Sequence, residues 1–223
     1  MHQRISKKIF AYFFILLLLV TTNNINLSKL NILKINNFKI LGLNNLEKEQ
    51  LQKNIKEFKN KNLFFLDKKK ISNKIFSNKA VEEFHVFKNY PSNLEINIKK
   101  TNFLAITKKD KKYYYMGSNG NLIKTDNPQI NLPFVSGNVD IKDFLQFKTI
   151  IDNSSLDFNN IKSLNYLKSR RWDLETKDGL IIQLPLKEIE FALDILSKIS
   201  KKEEFKKIKV IDLRQNNQVI INE

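Results

Sequence analysis

The chain has 223 residues, 42% of them hydrophobic, enough for one large or two small folded domains and too apolar for a disordered protein. It carries 39 Lys and Arg against 23 Asp and Glu, a formal charge of +16, and has no cysteine, which excludes disulfides and thiolate metal sites. Its histidines are His2, in a basic leader, and His85, inside an apolar run, so metal binding through histidine is disfavoured as well.

The first segment, residues 1–8, holds Arg4, Lys7 and Lys8, and reads as a basic leader that stays in the cytoplasm. Ile9 to Val20, IFAYFFILLLLV, then runs without a charge. A dozen residues rise only about 18 Å as a helix, a length that also suits a signal peptide. No A-x-A cleavage site follows Val20, however, and Thr21 and Thr22 extend the run. The expectation is an uncleaved transmembrane anchor over 9–22, with Ile9, Phe10, Phe13, Phe14, Leu16 and Leu19 facing lipid and everything after Thr22 outside the cytoplasm. The Asn-rich residues 23–31 read as a tether.

Residues 32–100 read as strand, helix, helix, strand, strand. Ile32 to Leu41 form a first strand ending at Gly42, and Asn44 or Asn45 caps a helix whose stripe is Leu51, Ile55 and Phe58. Asn62 to Leu66 is expected to be a buried connector. Asp67 caps a second helix with Ile71 and Ile75 on one face, and Lys68 to Lys70 fill its first turn against the preference of the helix dipole. Val81 to Lys100 is a hairpin: Phe84 and Val86 share a face, Asn89 to Asn93 turn, and Leu94, Ile96 and Ile98 alternate with polar residues.

Residues 101–223 read as a strand-rich β domain with flanking helices. Phe103 to Thr107 and Tyr113 to Met116 pair around Lys108 to Lys111, and Ser118 to Asn121 turn into Leu122 and Ile123. Ile141, Phe144, Leu145 and Ile151 suggest a helix. Trp172 to Thr176 and Leu180 to Leu184 flank the turn Lys177-Asp178-Gly179, and an amphipathic helix with Leu186, Ile189, Leu193 and Leu196 opens at Pro185. Ile208 to Arg214 and Val219 to Ile221 form a last hairpin. The fold class is α+β.

Ile40, Gly42, Asn62 to Asp67, Val81, Val86, Tyr90, Pro91, Leu94, Ile96 and Ile98 together resemble the POTRA domain of the bacterial cell-division family FtsQ, called DivIB in other lineages. Leu132 to Gly137 and Ile211-Asp212-Leu213-Arg214 are similar to elements of that family's second domain, with Gln215 where the family usually has Tyr. Lys100 and Phe103 depart from the family pattern. The resemblance implies a non-enzymatic divisome scaffold, a single-pass inner-membrane protein with its bulk in the periplasm. It implies partners of the FtsB and FtsL type, and no small-molecule substrate, cofactor or nucleic acid.

The residues themselves contain no phosphate-cradling glycine loop and no common serine-nucleophile context. Arg170-Arg171-Trp172 reads either as a stacking site or as a core Trp flanked by cations. The charge surplus suits a basic nucleic-acid-binding protein, but nearly all of it is lysine and Lys, Asn and Ile abound together, as in an AT-rich genome. That alternative stands beside another POTRA-containing envelope assembly protein and an envelope hydrolase with an unrecognised carboxylate site.

The expected partner-binding residues are Arg214, Gln215, Val219, Ile220 and Ile221. Three consecutive apolar residues put side chains on both faces of the last strand, and no charge or proline blunts it after Arg214 up to Asn222. Such an edge suits an added partner strand, with Arg214 offering a cation to a partner carboxylate; the alternative is an inner strand paired on both sides within the domain. In the family it resembles, FtsB docks on this region.

Overall fold

A computed structural model describes residues 7–22, 33–128, 131–199, 208–215 and 218–222. The leader up to Ser6 and the tether lie outside these residues. The chain divides into two compact units, 1–100 and 101–223.

In the first unit, Lys7–Thr22 is a helix (α1) whose apolar side chains, including Ile9, Phe10, Phe13, Phe14, Leu16 and Leu19, are all exposed. Its 16 residues rise about 24 Å. Among the described residues no helix is long and apolar enough to cross a membrane.

The rest of this unit is β1 (Asn37–Leu41), α2 (Asn45–Ile55), a 3-10 turn (Lys56–Phe58), α3 (Lys68–Phe76), β2 (Val81–Asn89) and β3 (Asn93–Lys100), in the order expected. Local chemistry starts both helices. Asn44 Oδ1 accepts from Glu47 N while Glu47 Oε2 accepts from Asn44 N, a capping box, and Asp67 Oδ1 accepts from Lys69 N and Lys70 N.

The sheet order is β1-β3-β2, with β1 parallel and β2 antiparallel to the central β3. Leu94, Ile96 and Ile98 share a core with Leu51, Ile55, Phe58, Ile71 and Ile75, so α2 and α3 cover one face of the sheet. Gly42 turns the chain out of β1 at φ +89°, and a Cβ there would collide with the Ile98 carbonyl.

The expectation for residues 62–66 needs correction. Leu63 and Leu66 are buried, but Phe64 and Phe65 between them are 56% and 52% exposed. The loop anchors itself through the two leucines and turns both phenyl rings outward.

The second unit contains β4 (Phe103–Lys109), β5 (Lys112–Gly117), β6 (Leu122–Thr125), β7 (Phe134–Ser136), α4 (Ile141–Asp152), β8 (Ile161–Tyr166), β9 (Trp172–Thr176), β10 (Ile181–Gln183), α5 (Ile189–Ile199), β11 (Val210–Asp212) and β12 (Ile220–Asn222). Among the described residues these strands form one sheet in the order β12-β11-β10-β9-β8-β7-β4-β5-β6.

Both helices are crossovers between parallel neighbours, α4 joining β7 to β8 and α5 joining β10 to β11. Phe144, Phe147 and Ile151 of α4 and Ala192, Leu193 and Leu196 of α5 pack in one core with Val135, Leu164, Leu174, Ile182 and Ile211 of the strands. Trp172 is buried, its ring stacked 4.5 Å from that of Phe147.

The last helix starts later than its sequence suggests. Glu188 has φ +58°, which helical backbone does not allow, so α5 begins at Ile189 and leaves Pro185 and the exposed Leu186 in the preceding loop.

Candidate partner-binding edge

Two rows of residues, read in register across the sheet, describe what the last strand offers. Val135, Leu164, Leu174, Ile182, Ile211 and Ile221 lie side by side on the face covered by the helices. The first five are buried to 2% exposure or less, whereas Ile221 is 40% exposed. The helix layer stops one strand short of the sheet's end.

On the opposite face the neighbouring row is Ser136, Asn165, Asp173, Gln183, Asp212 and Ile220. It is polar until Ile220, which is 49% exposed. β12 pairs with β11 on one side, and its other side has no neighbouring strand among the described residues. Ile220 and Ile221 thus sit on both faces of an open edge.

Val219 does not belong to that edge. It precedes β12, is half-buried and packs against the core beneath. Gln215 is exposed and lines, with Pro185, Phe191, Ile195, Leu213 and Gln218, a niche of about 20 Å³ between α5 and the last hairpin.

Arg214 is not a free cation. Its Nε donates to Asp212 Oδ1 at 2.8 Å, its Nη2 donates to Asp212 Oδ2, and its backbone N–H donates to Asp212 Oδ1 at 2.9 Å. The guanidinium hydrogen bond holds the Asp212 carboxyl below its ordinary pKa, outweighing the opposing effect of burial, and the same bond raises the pKa of Arg214. Residues two apart near a strand end share a face, so the spacing Asp212-x-Arg214 itself contained this pairing.

Two strands away, burial pushes the Asp173 carboxyl up, against the pull of Arg171 and Arg214. Asp173 Oδ1 and Arg171 Nε are buried without a hydrogen-bond partner. Sequence reasoning missed Asp173, whose significance depends on pairing across strands.

Elsewhere in the unit, several polar groups make local contacts. In a groove of about 410 Å³, Lys148 bonds Asp152 and lies 4.4 Å from the centre of the Phe158 ring, while the Ser154 hydroxyl donates to Ile151 O. In a second groove, of about 800 Å³, Asp140 caps α4 by accepting from Lys142 N. Among the described residues no group of His, Cys, Asp and Glu is placed to hold a metal ion.

Comparison with known proteins accounts for both units. Residues 33–100 match the FtsQ-type POTRA domain, and residues 105–214 match the C-terminal domain of the cell division protein FtsQ/DivIB. The chain belongs to the FtsQ/DivIB family of cell-division proteins.

Relatives include the cell division protein FtsQ of Bradyrhizobium diazoefficiens, 26% identical over 71% of this chain and 48% of that protein. That of Rickettsia bellii is 25% identical over 84% of this chain and 72% of the relative, and DivIB of Clostridium tetani is 27% identical over 56% and 48%. The match thus spans about half the length of the first and third of these FtsQ/DivIB proteins. The major extracytoplasmic domain of DivIB from Geobacillus stearothermophilus aligns with a TM-score of 0.36 at 13% identity, over 48% of this chain and 98% of that domain. In this FtsQ/DivIB chain the family match ends at Arg214, so β12 lies beyond it.

Proposed function

We propose that this FtsQ/DivIB chain is a non-enzymatic divisome scaffold whose terminal strand takes up a strand from a single-pass division protein of the FtsB or FtsL type. The observation that carries this reading is the end of the sheet: β12 is open on one side and exposes Ile220 and Ile221 on its two faces, with no charge or proline in Gln218 to Asn222. Natural proteins blunt such edges unless something covers them, and an added strand covers one by completing its backbone ladder.

Arg214 contributes differently from a simple cation donor. Asp212 already holds its Nε and Nη2, so a partner carboxylate meets a fixed ion pair at the strand end and shares the guanidinium with Asp212. Residues 9–22 anchor the chain in the inner membrane, with residues 1–8 in the cytoplasm and both folded units in the periplasm. α1, about 24 Å long, spans a core of about 30 Å with help from Lys7 and Lys8, which snorkel, and from local thinning of the bilayer.

The test is complementation in the native host. Ile220→Lys combined with Ile221→Lys puts charge on the edge without touching the core, and it is expected to leave the protein folded, abolish partner pull-down and produce undivided filaments. Normal septation by a folded double variant would defeat the proposal.

A further inference from the structure

A second exposed apolar feature lies in the POTRA unit. Phe64 and Phe65, an edge-to-face pair with ring centroids 5.1 Å apart, project from the loop between α2 and α3. Hydrogen bonds fix where this loop sits. Leu63 N donates to Leu33 O, Ile35 N to Lys61 O, and Asn36 N to Ser92 O, so the loop, the first described residues of the domain and the β2–β3 turn share one end of the POTRA unit. The exposed Tyr90 is on that turn. Leu33, the first described residue of the domain, is at this end.

Cations gather at the same tip. Lys88 reaches from β2 to donate to Phe64 O at 3.0 Å, and its pKa is lowered by burial and by the neighbouring charge of Lys68. Lys68 and Lys69 are in the first turn of α3, where the helix dipole disfavours cations, and neither has an ion pair among the described residues. A helix selected for stability alone would carry acids there. Exposed aromatic side chains with Lys88 bonded to their loop and Lys68 and Lys69 following Asp67 at the start of α3 match the polarity of a bilayer surface, apolar within and anionic at its face.

We propose that the tip formed by Phe64, Phe65, Lys68, Lys69 and Lys88 docks the POTRA unit onto an anionic phospholipid surface. The inference rests on the anchor reading of residues 9–22. Ten residues link α1 to Leu33 and reach at most roughly 35–40 Å, so a membrane that holds α1 keeps the tip within range at a high effective concentration. Docking fixes how far the domain stands from the bilayer, which a tether alone leaves open.

The chain has no native cysteine, so Phe65→Cys carries a single nitrobenzoxadiazole label in the full-length protein reconstituted into vesicles. Flotation with the vesicles reads the anchor, and label emission with quenching by doxyl lipids reads the tip. With 30% phosphatidylglycerol the label is expected to shift to the blue and be quenched. Lys68→Glu and Lys69→Glu should each lower the docked fraction at least about fivefold. These carboxylates suit the first turn of α3, and unchanged circular dichroism is the check that the domain still folds.

A chain that floats while its label stays in water overturns the proposal and leaves the anchor standing. A chain that fails to float refutes the anchor and, with it, the inference. Equal burial of the label in pure phosphatidylcholine, burial that grows with chain density, or a shift caused by single-stranded DNA in place of lipid would assign the tip to a neutral surface, a second copy or a polynucleotide, and each would overturn it.

Discussion

Phe64 and Phe65 at the POTRA tip and Ile220 and Ile221 at the sheet edge are about equally exposed, yet their surroundings differ in two ways. The aromatic pair sits on a loop, its backbone partly used by Asn62 and by the cation of Lys88. The isoleucines sit on a strand with an unpaired side and no charge from Gln218 to Asn222. A loop offers side chains only, which suits a fluid surface, whereas an open strand offers directional N–H and C=O groups, which suit another strand. Exposed apolar area alone does not name a partner; the backbone beneath it and the charge around it do.

The largest expected effects come from the cores under the two sites. Phe147→Ala, which removes the ring stacked on Trp172, is expected to cost about 3–5 kcal/mol, and Ile96→Ala in the POTRA unit about 2–5 kcal/mol, both measured by urea denaturation. Phe64→Ala and Ile221→Ala should stay within about 0.5 kcal/mol of the parent, as exposed positions do. A large loss at either exposed site would mean that it is structural, and the comparison would fail there.

A smaller effect separates the two carboxylates beside the edge. The folded pKa of Asp212 is depressed, so its contribution to stability is present above the unfolded carboxylate pKa and is lost as pH falls through the folded value. Asp212→Asn is therefore expected to destabilise the second unit at pH 7, with the difference vanishing in acid. Asp173 has the opposite sign: its folded pKa is raised, so stability is lost as pH rises from the unfolded carboxylate pKa through the folded value. Asp173→Asn should stabilise the unit at pH 7 and do nothing below the unfolded pKa. Thermal melts of both variants across pH check these signs, and parallel pH profiles would refute them.

A modest effect is expected at Gly179, whose φ of +85° suits glycine but where an added Cβ would meet nothing within 4 Å. Gly179→Ala should cost only the backbone strain of that turn, about 1 kcal/mol, and leave the edge untouched. Any loss of partner binding there would show that the β9–β10 turn communicates with β12.

How much of this was legible in the sequence depends on the range of the interaction. Caps and alternation act within a few residues, so Asn44, Asp67 and the Leu94-Ile96-Ile98 face could be read directly. β8 could not, because a register irregularity between Ile161 and Ser163 breaks its alternation, leaving Ile161 and Leu164 three apart. The parallel pairings of β1 with β3 and of β7 with β4 and β8 join distant segments, and no local pattern announces them.

Hydrophobicity also names a residue type without its direction, which is why Phe64 and Phe65 read as buried. The part of the terminal edge that could be read rests on a physical rule: the consecutive apolar residues Ile220 and Ile221 cannot face the same side of a strand, whereas Val219 lies outside β12. The capture of Arg214 by Asp212 was equally available from their spacing and went unread.

Amide hydrogen exchange of the full chain, alone and with an FtsB-type partner, tests the central claim most directly. The outward-facing amides within Ile220 to Asn222, those not directed at β11, are expected to exchange quickly in the free protein and become protected on binding, while those of β6 at the other edge of the same sheet do not change. Partner binding that leaves Ile220 to Asn222 unprotected would contradict the claim.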